Sequence, residues 1–532
     1  MRIPHWVFVV ALLAISLSLH FGGIWYPKEA VFDEVHFGKF VSAYFTGEYY
    51  FDIHPPLGKL MVAGVAALSG FEPKSAFAAI GEPYPDYQYV WLRFSPALFG
   101  SLLAPLVYLL TLRIGMMMQN APQQNAQSQK RQRLDSPFRG NDKQKTVDKT
   151  LTTTPADRGY ASPGIAALLA GIFILFDNAL LVQSKFILID SFLLVFGLCA
   201  LYFFLQSRDL FADGRWGMST LAASAIFAGL ALSIKWTGMA FAGTIGIFLF
   251  YAGIQRILAR QLKAARFLKI LIIFAAAPVI AYLLFFYIHF SLLPNSGTGD
   301  AFMKPRFHES RAAGYPTKDF LKNTWELNRE MLSANRRLDA RHSYSSQWYE
   351  WPLMQRSVYY WAKEAPAADQ SQKPSQDGAA RPAMDYFRIY LLGNPFVWWF
   401  STIGIIVFFL ILLVRVFAHL SVFLSGSSRR QNRIPRESAL PQWFLAVAYL
   451  ANLLPFLTIG RVMFLYHYLA AFIIAVIITA LWLVRLKRFH KTALAMIVVL
   501  TITGFVIIAP ITYGTALEEG WPSKIFWFKG WI

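Results

Sequence analysis

The sequence predicts an all-α polytopic membrane protein, with about eleven membrane-spanning helices and short interfacial helices in its first outer loop. Three observations predict it. Of 532 residues, 56% are hydrophobic and only 15% are charged, outside the range of ordinary globular domains. Runs of roughly 18 or more predominantly apolar residues recur, each long enough to cross a bilayer core of about 30 Å as a helix, whereas the weaker alternation of a barrel is not visible. Aromatic residues, 16% of the chain, gather at span ends, as in Phe396-Val397-Trp398-Trp399-Phe400 and Tyr466-His467-Tyr468, where rings suit the headgroup level.

The first span, 6–25, follows a lone Arg2 and ends in bulky His20, Phe21, Trp25 and Tyr26 rather than in a small-residue cleavage site, so we expect it to be uncleaved, with a cytoplasmic N-terminus. The next stretch, Phe32–Leu60, therefore emerges on the outer side. It carries Asp33-Glu34 and then Asp52, His54 and Lys59 around Pro55-Pro56. Ionised groups beside hydrocarbon are costly and tend to mark substrate or ion pathways, which makes the acidic pair a candidate active site; the plainer reading is a solvated loop start with two ordinary acids. Val35–Gly47 and Leu57–Gly70 each have an aromatic or aliphatic face and suit short helices lying in the interface.

The second span, 90–112, opens on Trp91-Leu92-Arg93. A Gln-, Lys- and Arg-rich segment, 119–160, reads as a disordered cytoplasmic loop. Further spans are expected at 162–181, 186–206, 217–234, 237–255 and 270–292. A large polar outer loop with short helices, 294–394, includes a mobile Ala/Gln/Ser-rich part, 365–381. Spans at 395–417, 441–459, 463–484 and 493–513 follow, with the tail 515–532 outside. This divides the chain into an N-terminal membrane module (1–293, with the first outer loop at 27–89), the large outer loop (294–394) and a C-terminal membrane module (395–532).

The net charge of +20 falls mostly in short connections between spans, such as Arg256 to Lys269, Arg429 to Arg436 and Arg485 to Lys491, which is the positive-inside pattern. With no compact basic domain, nucleic-acid binding is excluded. The single cysteine, Cys199, lies within a span and rules out an intrachain disulfide or a multi-Cys metal site. The ten histidines show no HExxH-like spacing, so no metal ligand set is assigned.

DEVHFG, FDIHPPLGKL, the arginine of WLRFSPALFG, DNALLVQSKFILIDSF, IKWTG, HSYSSQWYEWPL, LGNP with the following Trp pair, and RVMFLYHYLA occur in order over most of the chain. Together they resemble the protein O-mannosyltransferase family of the glycosyltransferase C superfamily. Two departures stand out. The large outer loop is too short for the β-trefoil MIR domain of eukaryotic members, so the chain is similar to the bacterial branch; and His342 is followed by Ser343 where the family pattern has proline.

The resemblance implies an inverting transfer of a sugar, mannose above all, from a polyprenyl phosphate to Ser or Thr hydroxyls of proteins on the outer side of a bacterial plasma membrane. Such a reaction needs one base for the attacking hydroxyl and positive charge at the departing phosphate. The resemblance makes Asp33 the base, with Glu34 either orienting the acceptor or raising the Asp33 pKa by like-charge repulsion. Arg93 either holds the lipid-linked phosphate with its planar fork or pairs with a carboxylate. Arg461, with His467 and Tyr468, is a second phosphate or sugar contact or an interfacial anchor. Asp52 and His54 support the loop, and Lys59 reaches phosphate or snorkels.

Lys235, Trp236, His342, Trp348 and Trp351 suit sugar or acceptor contacts, or simply pack the loops. Asp177, Lys185 and Asp190 suit structural pairs within the membrane. No cofactor is required, although a divalent ion beside Asp33 and Glu34 is compatible with the chemistry. The expected partners are the lipid-linked sugar, an acceptor protein or peptide and membrane lipid; monomer and dimer are both open. The rival readings are a lipid-modifying transferase like the aminoarabinose transferases, which would open its crevice sideways to lipid, and a transporter or flippase, for which no internal repeat is visible.

Overall fold

The first apolar run folds as helix α1 (His5–Phe21) and delivers the chain to a loop from which two short helices rise, α2 (Glu34–Thr46) and α3 (Leu57–Leu68). The computed structural model describes residues 3–134, 163–207, 215–313, 319–337, 342–366, 372–374, 380–382, 384–424, 436–485 and 491–531. Helix α2 starts two residues after Phe32, which is held at φ 47°, and ends at Gly47 with φ 74°. At that left-handed cap the Gly47 N–H returns to Ala43 O at 2.8 Å. A Cβ on Gly47 would stand 2.9 Å from Asn295 Nδ2, so glycine also lets the outer loop approach. Helix α3 follows Pro55-Pro56, which cost no hydrogen bond at a helix start. Both short helices expected in this stretch are present.

Helices α4 (Tyr89–Ser101) and α5 (Leu103–Leu134) join into one 31-residue apolar helix, Tyr89–Gln119. The expected loop at 119–160 differs in part, because the backbone stays helical to Leu134; its remainder lies outside the described residues. The expected span at 162–181 is not straight either. It breaks into α6 (Pro163–Leu175) and α7 (Asn178–Lys185), bent by 56°. Asp177 sits at the break and accepts the Leu180 N–H at 2.9 Å, so a buried carboxylate caps the second half. Helices α8 (Asp190–Gln206), α9 (Arg215–Ile234), α10 (Met239–Leu258) and α11 (Ala264–Leu292) follow.

Among the described residues eight helices are long and apolar enough to cross a membrane, or nine with the bent pair as one span. Helices α1 and α8, at 17 residues each, coincide with the other two expected spans but are shorter than these. At the centre lies Leu469–Leu483, apolar on every face and buried without interruption from Ala471 to Leu481, as a helix without a polar side must be. The chain is an integral membrane protein.

The large loop, 294–394, adds a small sheet to this mostly helical fold. Its first half is helical, α12 (Pro305–Ala312) and α13 (Phe320–Arg337), but its second half is sheet. Strands β1 (Val358–Pro366), β2 (Gln372–Pro374), β3 (Ala380–Pro382) and β4 (Met384–Leu391) are followed, beyond the last membrane helices, by β5 (Ala516–Leu517). β1, β4 and β5 form an antiparallel sheet in that order, and β2 pairs with β3. The aromatic and β-branched runs VYYWA and YFRIYL favour extended chain, which a search for helical faces overlooks. The β1–β4 register slips between Tyr359 and Trp361, so Tyr360 occupies a bulge and turns its fully buried ring into the bundle. The part of 365–381 that was expected to move lies largely outside the described residues, and the rest is β2, β3 and the end of β1. α14 (Pro395–Leu424) then begins the second membrane module.

Candidate active site

The two adjacent acids have opposite surroundings. Glu34 is fully buried and its carboxylate is saturated. It accepts from Arg93 Nε at 2.7 Å and Arg93 Nη2 at 2.8 Å, from the Val31 and Ile187 N–H groups at 2.9 and 3.0 Å, and from the Tyr84 hydroxyl at 3.0 Å. Arg93 is equally enclosed. Its other N–H groups go to the carbonyls of Ile24 (3.2 Å), Pro27 (2.9 Å) and Glu29 (3.1 Å), which uses all five guanidinium donors. No donor remains for a phosphate, so the expected phosphate role of Arg93 gives way to its other reading, a carboxylate pair. Glu34 likewise positions the loop rather than touching an acceptor. Bound to α4 through Arg93 and to the α7–α8 junction through Ile187, it holds the start of α2 in place.

Asp33, one residue earlier, is partly buried, and among the described residues its carboxylate accepts no hydrogen bond and pairs with no cation. Burial pushes its pKa up to about 7, with Lys235 pulling down and the carboxylates of Asp190 and Asp52 pushing up. Asp33 is thus poised to exchange a proton near neutral pH. A free, half-desolvated carboxylate facing fixed cations is what a general base requires.

Those cations come from three parts of the chain. Lys235, at the turn between α9 and α10, pairs with Asp190 Oδ1 at 2.7 Å, while Gln183 Nε2 donates to Asp190 Oδ2 at 2.8 Å. Lys59 pairs with Asp52 and donates to the His54 carbonyl at 2.8 Å, so it fastens the Pro-Pro turn and is buried with its partner. Arg461 differs from both. Its Nη1 donates to Asn335 Oδ1 at 2.8 Å and its Nη2 to His467 Nε2 at 3.3 Å, and no described carboxylate pairs with it. Since arginine only donates, His467 Nε2 accepts, which leaves the proton on Nδ1 to bond Phe464 O at 3.0 Å. His54 lies among these charges; burial, then Lys235, Lys59, Arg461 and His467, hold its pKa well below the ordinary value, so the imidazole is neutral.

Asp33 is thus an unpaired carboxylate within electrostatic reach of Lys235, Asp190 and Asp52, and the chain that carries it matches known families. Residues 10–121 and 162–294 match the family model described as dolichyl-phosphate-mannose-protein mannosyltransferase, and residues 320–531 match the C-terminal four-transmembrane region of protein-O-mannosyltransferase. The chain belongs to the protein O-mannosyltransferase family. It is 31% identical over 318 residues to protein O-mannosyltransferase 1 of Drosophila melanogaster, covering 58% of this chain and 30% of the fly protein. It is 29% identical over 309 residues to dolichyl-phosphate-mannose–protein mannosyltransferase 1 of Saccharomyces cerevisiae, covering 57% of this chain and 32% of the yeast protein. The chain thus spans about a third of the length of the curated relatives it matches. In fold it is similar to the S. cerevisiae protein O-mannosyltransferase Pmt1–Pmt2 complex bound to the sugar donor, with a TM-score of 0.77 at 19% identity over 100% of this chain and 93% of that one.

Within this member of the family, several aromatic candidates turn out to be scaffold. Trp351 is fully buried, stacks on His467 at 5.9 Å and donates to Ser346 Oγ at 3.0 Å, so its face is not open to a sugar. Tyr468 is buried against Trp398, with its hydroxyl on Tyr449 at 3.1 Å. Trp236 donates to the Tyr282 hydroxyl at 2.9 Å. Trp348 is partly buried beside exposed Tyr349, and exposed His342 packs edge-on to Phe464 at 5.0 Å. Asp177 caps α7 and bonds Trp398 Nε1 at 2.8 Å, and Lys185 donates to Gly22 O at 2.8 Å and lies 4.0 Å from the Tyr513 ring centre, so neither forms the expected ion pair. Asp190 does, with Lys235.

Sequence reasoning missed Gln183 and Tyr360. The Tyr360 hydroxyl donates to Gln183 Oε1, its carbonyl accepts the Phe32 N–H at 3.1 Å, and its ring stacks on Phe32 at 4.2 Å. Only the bulge in β1 could have revealed this, and a bulge leaves no mark in composition.

Proposed function

We propose that the chain transfers mannose from a polyprenyl phosphate to Ser or Thr hydroxyls of proteins at the outer face of a bacterial plasma membrane, with inversion at the anomeric carbon. The observation that carries it is the unpaired Asp33 carboxylate, raised to about 7, facing Lys235. The acceptor hydroxyl attacks C1 on the side opposite the phosphate; Asp33 takes its proton; the C1–O bond to phosphate breaks, and Lys235 and Arg461 offset the charge left on the lipid phosphate. Those two cations supply the positive charge, so the proposal includes no resident metal. Family membership supports the donor and acceptor classes. The names of the relatives, dolichyl-phosphate-mannose–protein mannosyltransferase among them, point the same way. Since the solved yeast relative is a complex of two chains, a dimer is the assembly we propose.

The test is incubation of purified protein with a panel of polyprenyl-phosphate sugars and Ser/Thr peptides, read by mass spectrometry. Hexosylated peptide from the mannosyl donor is expected, with Asp33→Asn abolishing transfer while still binding donor. Near-normal turnover by that variant removes Asp33 as the base; sugar appearing on a lipid acceptor instead of peptide removes the protein-acceptor reading.

A further inference from the structure

Besides Asp33, a second polar group at the site has no hydrogen-bond partner among the described residues. Tyr466, in the turn Leu465–Tyr468, has its ring flanked by Phe464 at 5.5 Å and 20° and by His467 at 4.6 Å and 21°, with the edge of Phe32 at 6.2 Å and the Lys235 ammonium at 5.6 Å. Its faces are thereby occupied, and it cannot serve as a platform for a sugar. Its hydroxyl, in contrast, makes no hydrogen bond among the described residues, although Asp33, Asp190 and Arg461 lie close enough to act on it electrostatically. Both Asp190 oxygens are already taken, by Lys235 and Gln183. The nearest fixed donors, Arg461 and Lys235, cannot accept. Asp33, though unpaired and close enough to act on the hydroxyl, does not accept from it among the described residues, so the hydroxyl and the cations Arg461 and Lys235 are left to an anionic ligand.

We propose that Tyr466 is a further substrate-binding residue, whose hydroxyl donates a hydrogen bond to a phosphate oxygen of the lipid-linked donor between Arg461 and Lys235. This rests on the function proposed above and adds a residue to the phosphate site. A phenol at that position is retained by the phosphate after the glycosidic bond breaks, when the lipid phosphate carries more charge, so it favours the departing group over the bound donor.

Tyr466→Phe keeps both ring stacks and removes only the hydroxyl. In steady-state assays of purified protein it is expected to lower kcat/KM for polyprenyl-phosphate mannose, and to raise the inhibition constant of a sugar-free short-chain polyprenyl phosphate, each roughly tenfold, while KM for the acceptor peptide stays put. A rise in acceptor KM with donor kcat/KM unchanged moves the hydroxyl to the acceptor side and overturns the proposal; so does a variant indistinguishable from wild type. Failure of wild type itself to be inhibited by polyprenyl phosphate counts against the proposed function rather than against Tyr466.

Discussion

Both oxygens of Glu34 are engaged by one guanidinium, that of Arg93, at 2.7 and 2.8 Å, and neither residue is exposed to solvent. Neighbours at the start of a helix point about 100° apart, so Glu34 turns inward to Arg93 while Asp33 points away from it. The same pair of letters thus yields an anchor and an unpaired acid, the base of the proposed mechanism. A general base must be held still without being paired itself, and giving the pairing to the next residue achieves this.

The first prediction concerns that anchor. Removing one partner of a buried ion pair strands the other, at a cost of about 3–5 kcal/mol. Glu34→Gln and Arg93→Ala are each expected to lower the thermal unfolding midpoint in detergent, and the double variant to cost less than the two singles added. An Arg93→Ala protein with wild-type stability and a raised donor KM would return Arg93 to the phosphate site.

The second concerns pH. As the proposed base, Asp33 works only when ionised, and burial holds its acid form up to about 7. Activity should therefore rise through neutral pH and level off above it. Stability runs the other way: the folded state retains a proton that an unfolded Asp loses near its ordinary value of 3.8, so Asp33 costs stability increasingly from there up to about 7 and fully above. Asp33→Asn is then expected to stabilise the protein more at pH 8 than at pH 5. A kcat/KM profile from pH 4 to 9 checks the first part, and an acidic limb below pH 5 would exclude the assignment.

The third uses the neighbours of Asp33 to move that limb. Lys235 lowers the Asp33 pKa and Asp190 raises it. Lys235→Met is expected to shift the acidic limb upward. Asp190→Asn should shift it downward, both by removing a negative charge and by freeing Lys235. Purely structural damage reduces the plateau without moving the limb, and opposite shifts in the two variants distinguish the cases.

How much of this was legible in the sequence follows from what kind of signal each feature leaves. The stretch Phe32–Leu60 stood out because charged residues are rare in so apolar a chain, and helices α2 and α3 followed from faces bounded by Gly47 and Pro55-Pro56. Arg93 was noticed for the same reason and given an open alternative. Choosing between phosphate and Glu34 required counting five donors against five acceptors, which only coordinates supply. The bend at Asp177 stayed hidden because both halves are apolar, so hydropathy runs through the break. Trp351 and Tyr468 looked like binding aromatics since a buried and an exposed tryptophan or tyrosine read alike in sequence. The sheet in the outer loop was overlooked because β1 and β4 are joined by a long polar segment and completed by β5, more than a hundred residues on.

The fourth prediction follows from Tyr360. Its ring stacks on Phe32 at 4.2 Å and 13°, and its backbone carbonyl accepts the Phe32 N–H, so a bulge in the outer sheet grips the residue just before the base. Phe32 has a positive φ of 47°, a conformation that a bulky side chain adopts only where its surroundings impose it. Two variants separate the grip from the hydroxyl. Tyr360→Phe keeps the stack and leaves Gln183 without a donor, a cost of about 1–3 kcal/mol in stability with little change in kcat. Tyr360→Ala removes the ring and opens a cavity, costing about 3–5 kcal/mol. With Phe32 released, Asp33 loses its fixed direction, and kcat should fall roughly a hundredfold, as small misplacements of reacting groups do. Unfolding midpoints and kcat measured on both proteins, at temperatures well below either midpoint, are the check. Equal kcat in Tyr360→Phe and Tyr360→Ala would mean that Asp33 is held by Glu34 and Arg93 alone.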